Sequence, residues 1–458
     1  MISARFAWPL AILAGAECVL LFAALCLSEW ATGYVNGHPG SLAEHTTAFG
    51  LICVLVTAMM FSVGLYTWHA ASSYGDLGLR IVAAFGTAYL LYAAMVYAVD
   101  ELAIAPPTLG AAILLAVPAL FGVRIGFLRL SEQAHLKSRV MVLGTGPQAA
   151  RIRDLERHGP ASRFVAVSFV DLEDCAPSVP AGRVCRMPPD LLGFAANHGI
   201  DEIVVALEDR RGRLPADDLI KARLNGLRVT DYQSFTEYAQ GKVDLDALRP
   251  SWFLYSDGFR SGRVHRFLKR VFDVGVSLAL LVFTLPLLVL TALAIKLESR
   301  GPVFYKQERV GLGGQPFTLL KFRSMAVDAE KAGQPQWAAA KDPRVTRVGA
   351  VIRKTRIDEI PQAINVLKGD MSFVGPRPER PQFVQMLAQQ IPYYTERHSV
   401  KPGITGWAQL NYPYGASVED ARQKLQYDLF YIKYFGILFD LSIVLQTIRV
   451  VLWSAGAR

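Results

Sequence analysis

Two adjacent carboxylates lie in a stretch of the chain that is rich in cations. Asp358 and Glu359 follow three basic residues, Arg353 among them, and precede Pro361. Thr355 and Asp358 have the spacing of a capping box, and proline suits a first helical turn, so the pair is predicted at a helix N-terminus. The helix dipole and the nearby cations would keep Asp358 ionised. An ionised carboxylate can attack phosphorus, and its neighbour can bind Mg²⁺.

More cations occur in three other short segments of the same region. Lys321 and Arg323 are one residue apart and would share one face of a strand. Arg377 lies in a loop rich in glycine and proline, and Arg397 precedes a second such loop that begins at Gly403. Arginine binds phosphate through paired hydrogen bonds, and a diphosphate needs several such partners. The region therefore predicts a diphosphate site.

The rest of the chain predicts a membrane protein with polar parts. Its 458 residues are 52% hydrophobic and 19% charged, with a net charge of +9. Four apolar runs, 7–28, 46–69, 81–99 and 109–128, are each long enough to cross a bilayer as a helix. Lys and Arg flank them so that both ends of this predicted bundle face the cytoplasm. No base-stacking motif indicates nucleic acid, and the five cysteines show neither disulfide nor zinc spacing.

A fifth apolar run has basic residues on both sides, which opposes a simple membrane crossing. Pro286 lies near its middle and can break a helix. We predict a re-entrant helix, break and helix around Pro286 that returns to the same membrane face, with a kinked spanning helix as the alternative. The apolar segment 428–453, with interspersed charges, predicts an amphipathic helix at the membrane or between subunits, or a core helix.

Between these membrane regions the sequence predicts an α/β domain. Gly144-Thr-Gly146 follows a buried strand and resembles a dinucleotide-binding loop, and Asp171 ends the next strand. The fold is predicted to bind nothing or to sense a nucleotide, because Pro147 replaces a residue that would donate a backbone N–H. Tyr238 and Lys242 have the spacing of a short-chain dehydrogenase pair.

Five motifs together resemble one known family. They are Lys269-Arg270-x-x-Asp273, Lys321-Phe-Arg-Ser-Met, Asp358-Glu-Ile-Pro-Gln, Phe373-Val-Gly-Pro-Arg-Pro and Pro402-Gly-Ile-Thr-Gly-Trp-Ala-Gln409. The chain resembles the monotopic phosphoglycosyl transferases, or bacterial sugar transferases, in their long exopolysaccharide polyprenyl glycosylphosphotransferase form. The predicted domains are a four-helix transmembrane bundle at 1–130, a Rossmann-like α/β domain at 131–255 and an α-rich catalytic domain at 262–458 with a re-entrant helix at about 271–297.

The resemblance implies transfer of a sugar-1-phosphate from a UDP-sugar to polyprenyl phosphate, with release of UMP, as the first step of exopolysaccharide synthesis. Asp358 would carry the phosphosugar in a ping-pong mechanism, and Glu359 would help Asp358 to bind Mg²⁺. The implied substrate-binding residues are Lys321, Arg323, Arg353, Arg377 and Arg397. The site would lie on the cytoplasmic face of a bacterial inner membrane.

The sequence leaves the sugar and the oligomeric state open, and a homodimer is compatible with it. Two alternatives predict different behaviour. A membrane-bound nucleotide-sugar dehydratase would bind NAD and depend on Tyr238 and Lys242, although Gly241 between them argues against a firm helix. A non-enzymatic scaffold or regulator of polysaccharide export would release no UMP.

Overall fold

The computed structural model describes residues 4–35, 42–66, 74–132, 137–158, 164–172, 177–209, 212–256, 258–259, 262–326, 344–413, 415 and 417–453. The chain divides into two compact units, Ile2–Ala247 and Leu248–Arg458. Five helices in the described residues are long and apolar enough to cross a membrane, four in the first unit and one in the second. The protein is therefore a membrane protein with a mixed α/β region and a mainly helical C-terminal region.

The first unit begins with four long apolar helices: α1 (Ala4–Val35), α2 (Leu42–Ser62), α3 (Tyr74–Ala98) and α4 (Pro106–Glu132). Helix α1 packs against α2 and α4, and α3 packs against the same two helices. Their interior contains one buried ion pair, in which Arg124 Nη2 donates to Glu17 Oε2 at 2.8 Å. Tyr66 also donates to Glu17. A charge inside an apolar interior is tolerated when it is paired in this way.

A parallel sheet follows, with strand order β3-β2-β1-β4-β5. The strands are β1 (Ser138–Leu143), β2 (Phe164–Val170), β3 (Val184–Cys185), β4 (Glu202–Val205) and β5 (Arg228–Asp231), and the helices are α5 (Pro147–His158), α6 (Leu191–Asn197), α7 (Ala216–Leu224) and α8 (Tyr232–Gln240). Strands β1 and β4 are buried over most of their length, as expected for central strands covered on both faces. The three strands predicted from the sequence are β1, β2 and β4.

The glycine loop after β1 is occupied by contacts within the protein. Gly144 has φ +125°, and a side chain there would strike the main-chain oxygen of Ala206, the residue after β4. The backbone N–H of Ser178 donates to Thr145 O at 2.8 Å, and the Thr145 hydroxyl donates to Asp171 Oδ1 at 3.2 Å. Asp171, the acid at the end of the next strand, is thus engaged by the loop itself.

The Tyr238 and Lys242 pair does not lie on one helix. Helix α8 ends at Gln240, and Gly241 takes a left-handed conformation with φ +66°. Glycine at this position terminates the helix and turns the chain away from its axis. The shared helical face that a dehydrogenase pair requires is absent here, which disfavours the dehydratase alternative.

The second unit is mainly helical. Its helices are α9 (Pro250–Tyr255), α10 (Arg263–Glu298), α11 (Arg347–Lys354), α12 (Gln362–Lys368), α13 (Pro381–Gln390), α14 (Trp407–Asn411), α15 (Val418–Tyr434) and α16 (Ile437–Trp453). Strands β6 (Phe304–Val310) and β7 (Pro316–Phe322) form an antiparallel hairpin, and β8 (Ser372–Val374) pairs in parallel with β9 (Gly403–Thr405).

Helix α10 runs for 36 residues with Pro286 inside it. The predicted interruption into two helices at Pro286 is not seen, because α10 stays helical through the proline. The predicted return to the same membrane face stays a prediction. Residues on each side of Pro286 nevertheless pack into the same unit. Leu280 packs in the cluster around Phe373, and Ala292 packs in the cluster around Phe322. Between them α10 exposes large apolar side chains: Val282, Phe283, Leu285, Leu287, Val289 and Leu290.

The segment 428–453 is not one amphipathic helix. It comprises the end of α15 and the whole described length of α16, which are separated at Phe435 and Gly436. Asp428 and Asp440 are buried rather than on a polar face. Charged residues at helical spacing suggest a solvent-exposed face in a sequence. Here Asp428 and Asp440 are instead buried partners of cations in other elements of the unit.

Candidate active site

The acid pair lies in a short 3-10 turn, Ile357–Glu359, between α11 and α12. The Thr355 hydroxyl donates back to Val351 O at 2.9 Å, so it belongs to the end of α11. The expected capping box is therefore wrong, and α12 begins only at Gln362 after the cap residue Pro361. The two carboxylates precede the helix instead of projecting from its first turn.

The Glu359 carboxylate is held by three cations. Arg377 Nη2 lies 2.5 Å from Glu359 Oε1, and Arg377 Nη1 donates to Oε2 at 3.2 Å. Lys321 Nζ donates to Oε1 at 3.0 Å, and Arg356 Nη1 lies 3.7 Å from the same atom. The positive charges of Arg377 and Lys321 hold the pKa of Glu359 well below its usual range, although burial acts in the opposite direction. Glu359 is thus a permanently charged anchor for the site.

Asp358 is in the opposite situation. It is 8% exposed, and its Oδ1 atom has no hydrogen-bond partner among the described residues. Burial, assisted by the charge of Glu359, raises the pKa of Asp358 to about 6, while Lys321 and Arg377 oppose the shift. The expectation that its surroundings favour the ionised form is wrong in direction. At neutral pH the group is still mainly ionised, as a poorly solvated carboxylate with an unsatisfied oxygen.

The position of Lys321 depends on Asn365 of α12. Asn365 Oδ1 accepts from Leu320 N at 3.0 Å, and its Nδ2 donates to Thr318 O at 2.7 Å. These bonds fix strand β7 to α12 and so set the register of Lys321 against the acid pair. Burial lowers the pKa of Lys321, opposed by Glu359. Asn365 is a site-building residue that the sequence prediction missed.

Arg377 is presented by two loops that pack backbone against backbone. A side chain at Gly375 would strike the main-chain oxygen of Lys401, and Gly403 N donates to Pro376 O at 2.9 Å. The glycines therefore permit a close approach that no other residue allows. Gln409 Oε1 accepts at 3.1 Å from Arg377 Nη1, the same nitrogen that donates to Glu359 Oε2, and so helps to fix the guanidinium.

Arg397 holds the main chain of the loop that contains Arg377. Its Nη2 donates to Arg377 O at 3.1 Å and to Asp428 Oδ2 at 2.8 Å, and its Nη1 donates to Tyr394 OH at 2.7 Å. Burial raises the pKa of Asp428 to about 6, opposed by the charge of Arg397. The Arg397 guanidinium therefore donates to groups of the protein itself and positions the Arg377 main chain.

The remaining predicted cations lie elsewhere. Arg323 donates to Ser299 O at 2.9 Å and to Arg300 O at 3.1 Å, which closes the C-terminal end of α10 against β7. Arg353 lies in the last turn of α11, outside the contacts of the acid pair in the described part of the chain. Of the five predicted binding residues, the structure brings Lys321 and Arg377 to the acid pair.

The N-terminal part of α10 is tied to the same loops. Lys269 Nζ lies 2.7 Å from Asp440 Oδ2 and 3.1 Å from Asp273 Oδ1, and Asp273 Oδ1 accepts from Phe373 N at 3.1 Å. Arg270 donates to Leu367 O at 2.7 Å and so satisfies the last turn of α12. The Lys269-Arg270-x-x-Asp273 motif thereby joins the long apolar helix α10 to the elements of the site.

Metal binding at the site would need substrate. The described residues contain no cluster of three or more His, Cys, Asp or Glu side chains with metal-binding geometry. Mg²⁺ is commonly held by one or two carboxylates together with substrate phosphates. The acid pair fits that type of site, in which the unpartnered Asp358 Oδ1 is the available ligand and Glu359 would share its oxygens with Lys321 and Arg377.

Comparison with known proteins agrees with this site. Residues 264–454 match the family model described as bacterial sugar transferase. A UDP-N-acetylgalactosamine-undecaprenyl-phosphate N-acetylgalactosaminephosphotransferase of Aeromonas hydrophila is 43% identical over 240 residues, which cover 52% of this chain and 56% of that protein. A UDP-glucose:undecaprenyl-phosphate glucose-1-phosphate transferase of Caulobacter vibrioides is 44% identical over 191 residues, covering 41% of this chain and 71% of that protein.

A shorter relative gives the fullest coverage of these comparisons. A sugar transferase of Bacillus subtilis (strain 168) is 42% identical over 195 residues, which cover 42% of this chain and 90% of the relative. By contrast, the chain spans only about half the length of the Aeromonas protein, at 56%. The residues that match the family model, 264–454, lie within the second unit and contain the acid pair and the loops around it. The chain belongs to the bacterial sugar transferase family.

Proposed function

We propose that the protein transfers a sugar-1-phosphate from a UDP-sugar to polyprenyl phosphate and releases UMP, as the first step of exopolysaccharide synthesis. The named activities of the relatives support this reaction class. So does the site, which combines one reactive carboxylate with cations suited to a diphosphate. The match to the family covers the unit that contains both.

The observation that carries the proposal is the contrast between the two carboxylates. Glu359 has both oxygens engaged by cations, whereas Asp358 has a buried oxygen without a partner. A carboxylate that is short of hydrogen bonds is a better nucleophile than one held in ion pairs, because less stabilisation is lost when it attacks. We therefore assign Asp358 as the nucleophile and Glu359 as the group that orders the cations.

The reaction has two steps. An oxygen of Asp358 attacks the β-phosphorus of the UDP-sugar, the bond from that phosphorus to the bridging oxygen breaks, and UMP leaves with the bond's electron pair. A phosphate oxygen of the polyprenyl phosphate then attacks the same phosphorus. The bond to Asp358 breaks, which regenerates the carboxylate and gives a polyprenyl-diphosphate sugar.

The cations of the site bind and orient the phosphates. Lys321 and Arg377 face the acid pair and would stabilise the charge that builds up on the leaving phosphate. Bound Mg²⁺ would neutralise charge on the diphosphate. Arg323 and Arg397 are proposed to act indirectly: Arg323 holds the end of β7 in place, and Arg397 holds the Arg377 loop. Arg353 is proposed to contact the nucleotide.

The membrane arrangement is part of the proposal. Both sides of Pro286 pack into one unit and the residues between them are exposed and apolar, which supports our proposal that α10 bends at this proline, dips into the bilayer and returns. We propose that α1 to α4 form a transmembrane bundle and that the parallel sheet belongs to a Rossmann-like domain. The positive-inside rule favours a bacterial inner membrane with the site on the cytoplasmic side.

The test is UMP release from membranes that contain the protein, with undecaprenyl phosphate, Mg²⁺ and a panel of UDP-sugars. Release with one donor, lost in Asp358→Asn and retained in Asp217→Asn, would support the proposal. Asp217 is a matched control because it is exposed in the first turn of α7, in the other unit. With a sugar-labelled donor and no acceptor, label should stay on the wild-type protein only. Absence of UMP with every nucleotide sugar would refute the proposal.

A further inference from the structure

Arg356, two residues before Asp358, has a backbone conformation that arginine rarely adopts. Its φ is +60° and its ψ is +14°, in the left-handed region where a Cβ atom is crowded. It is one of three non-glycine residues with positive φ among those described. Helices usually place glycine at this point to leave their last turn.

Other helices of the chain follow that rule. Helices α6, α7, α8 and α12 are each followed, within two residues of their ends, by a glycine with positive φ: Gly199, Gly226, Gly241 and Gly369. Helix α11 is followed by Arg356 at the corresponding position. The chain thus places a large charged side chain where its own pattern elsewhere is glycine.

The contact of Arg356 with Glu359 does not account for this choice. Its Nη1 lies 3.7 Å from Glu359 Oε1, farther than Lys321 Nζ at 3.0 Å or Arg377 Nη2 at 2.5 Å. The Arg356 side chain is also the most exposed of the three cations, at 41% against 18% for Lys321 and 29% for Arg377. Ion pairs this exposed add little to stability. Backbone strain that no stabilising contact compensates commonly marks a functional residue.

We propose that Arg356 binds a phosphate group of a substrate directly, at the outer edge of the acid pair. The inference rests on the proposed function and deepens it. Lys321, Arg356 and Arg377 carry three positive charges against two on the acid pair, so the site has one charge in excess for an anion. Arg356 can supply it, because its guanidinium has five donors and only a loose contact with Glu359.

The first test separates binding from folding. In Arg356→Gly, the unfolding temperature should equal or exceed that of the wild type, since glycine relieves the strain. The KM for one substrate should rise by about 10-fold or more, the loss expected for a charge-assisted hydrogen bond. In Arg356→Lys, which keeps the positive charge, the rise in KM should be smaller. Lys368→Ala, which removes an exposed positive charge at the end of α12, is the control.

The kinetics also identify the phosphate. A raised KM for the UDP-sugar would assign Arg356 to the donor diphosphate, and a raised KM for undecaprenyl phosphate would assign it to the acceptor. If both KM values in Arg356→Gly equal those of Lys368→Ala, the proposal is overturned. A shift of the pH–rate profile with unchanged KM values would also overturn it, because Arg356 would then act only on the ionisation of the acid pair.

A binding measurement keeps this inference distinct from the proposed reaction. The Kd of UDP and that of inorganic pyrophosphate are measured on the full-length protein in detergent. If the wild type binds UDP but releases no UMP from any donor, the proposed reaction fails while Arg356 is still tested. A Kd weakened by about 10-fold in Arg356→Gly supports a contact with the donor phosphates. The proposal is refuted if Arg356→Gly has the wild-type Kd for both ligands and also the wild-type KM for undecaprenyl phosphate.

Discussion

The two neighbouring carboxylates should respond in opposite ways to removal of their charge. In Asp358→Asn, a buried carboxylate with an unpartnered oxygen is replaced by a neutral group of the same shape. We expect this variant to lose turnover and to gain stability. In Glu359→Gln, three cations lose their common partner. We expect that variant to be destabilised.

The magnitudes follow from the site. Raising the pKa of Asp358 from 3.8 to about 6 corresponds to about 3 kcal/mol of destabilisation at pH 7, at roughly 1.4 kcal/mol per pKa unit. Asparagine at position 358 should recover part of this stability. For a unit of this size, that corresponds to a rise of several degrees in the unfolding temperature. Breaking the buried pairs of Glu359 should cost about 3 kcal/mol or more.

The stability cost of the Asp358 charge should depend on pH. The pKa of Asp358 is higher in the folded state, so the folded protein binds more protons between pH 3.8 and about 6. The stability cost of its charge is complete above about pH 6 and absent below pH 3.8. The advantage of Asp358→Asn over the wild type should therefore disappear as the pH falls through this range.

The assay is thermal unfolding of both variants and the wild type in detergent from pH 4 to 8, together with UMP release. A stability loss in Asp358→Asn at pH 7, or a gain that does not vary with pH, would refute the description of Asp358 as a strained carboxylate. Retained turnover in Asp358→Asn would refute its assignment as the nucleophile. Equal stability of Glu359→Gln and wild type would contradict the role of Glu359 as anchor.

Three further changes test the surroundings of the pair. Lys321→Met removes a cation that lowers the pKa of Asp358, so the acidic limb of the pH–rate profile should move to higher pH; an unmoved limb would contradict the electrostatic coupling. Gly375→Ala should abolish activity because its side chain would strike the neighbouring loop, whereas Gly275→Ala in α10, with open space around it, should keep activity; similar activity in both would be the contrary result. Asn365→Ala should lower the rate constant more than it raises KM, since it displaces Lys321, which is proposed to stabilise the charge that builds up on the leaving phosphate; a raised KM with an unchanged rate constant would rule out this role.

The sequence predicted those features that depend on local patterns. Long apolar runs predicted the N-terminal helices, and short buried runs predicted strands β1, β2 and β4. Lys321 and Glu359 are 38 residues apart in sequence and form an ion pair. Both residues were predicted from the sequence to belong to one site, but their pairing was not predicted. The family motifs supplied that grouping, because spacing alone says nothing about contacts over such distances.

The errors have physical causes. Arginine donates equally well to a phosphate and to a main-chain carbonyl, so the sequence could not distinguish Arg377 at the site from Arg323 or Arg397 inside the fold. Asp428 looked like part of a polar helix face because its partner, Arg397, lies in another element. A capping box requires the Thr355 hydroxyl to accept from the backbone N–H of Asp358, but in the structure this hydroxyl donates to Val351 O at the end of α11.

The network around Lys269 also constrains the order of events during synthesis. Lys269 donates to Val374 O, 105 residues further along the chain, and pairs with Asp440, which is made later still. While the nascent chain is shorter than this, Lys269 and Asp273 of the apolar helix α10 have only each other, because their partners Val374, Phe373 and Asp440 do not yet exist. Closure of the catalytic unit is therefore a late, non-local step, and a ribosome-bound chain that stops before Asp440 should remain sensitive to protease at the loops around Arg377.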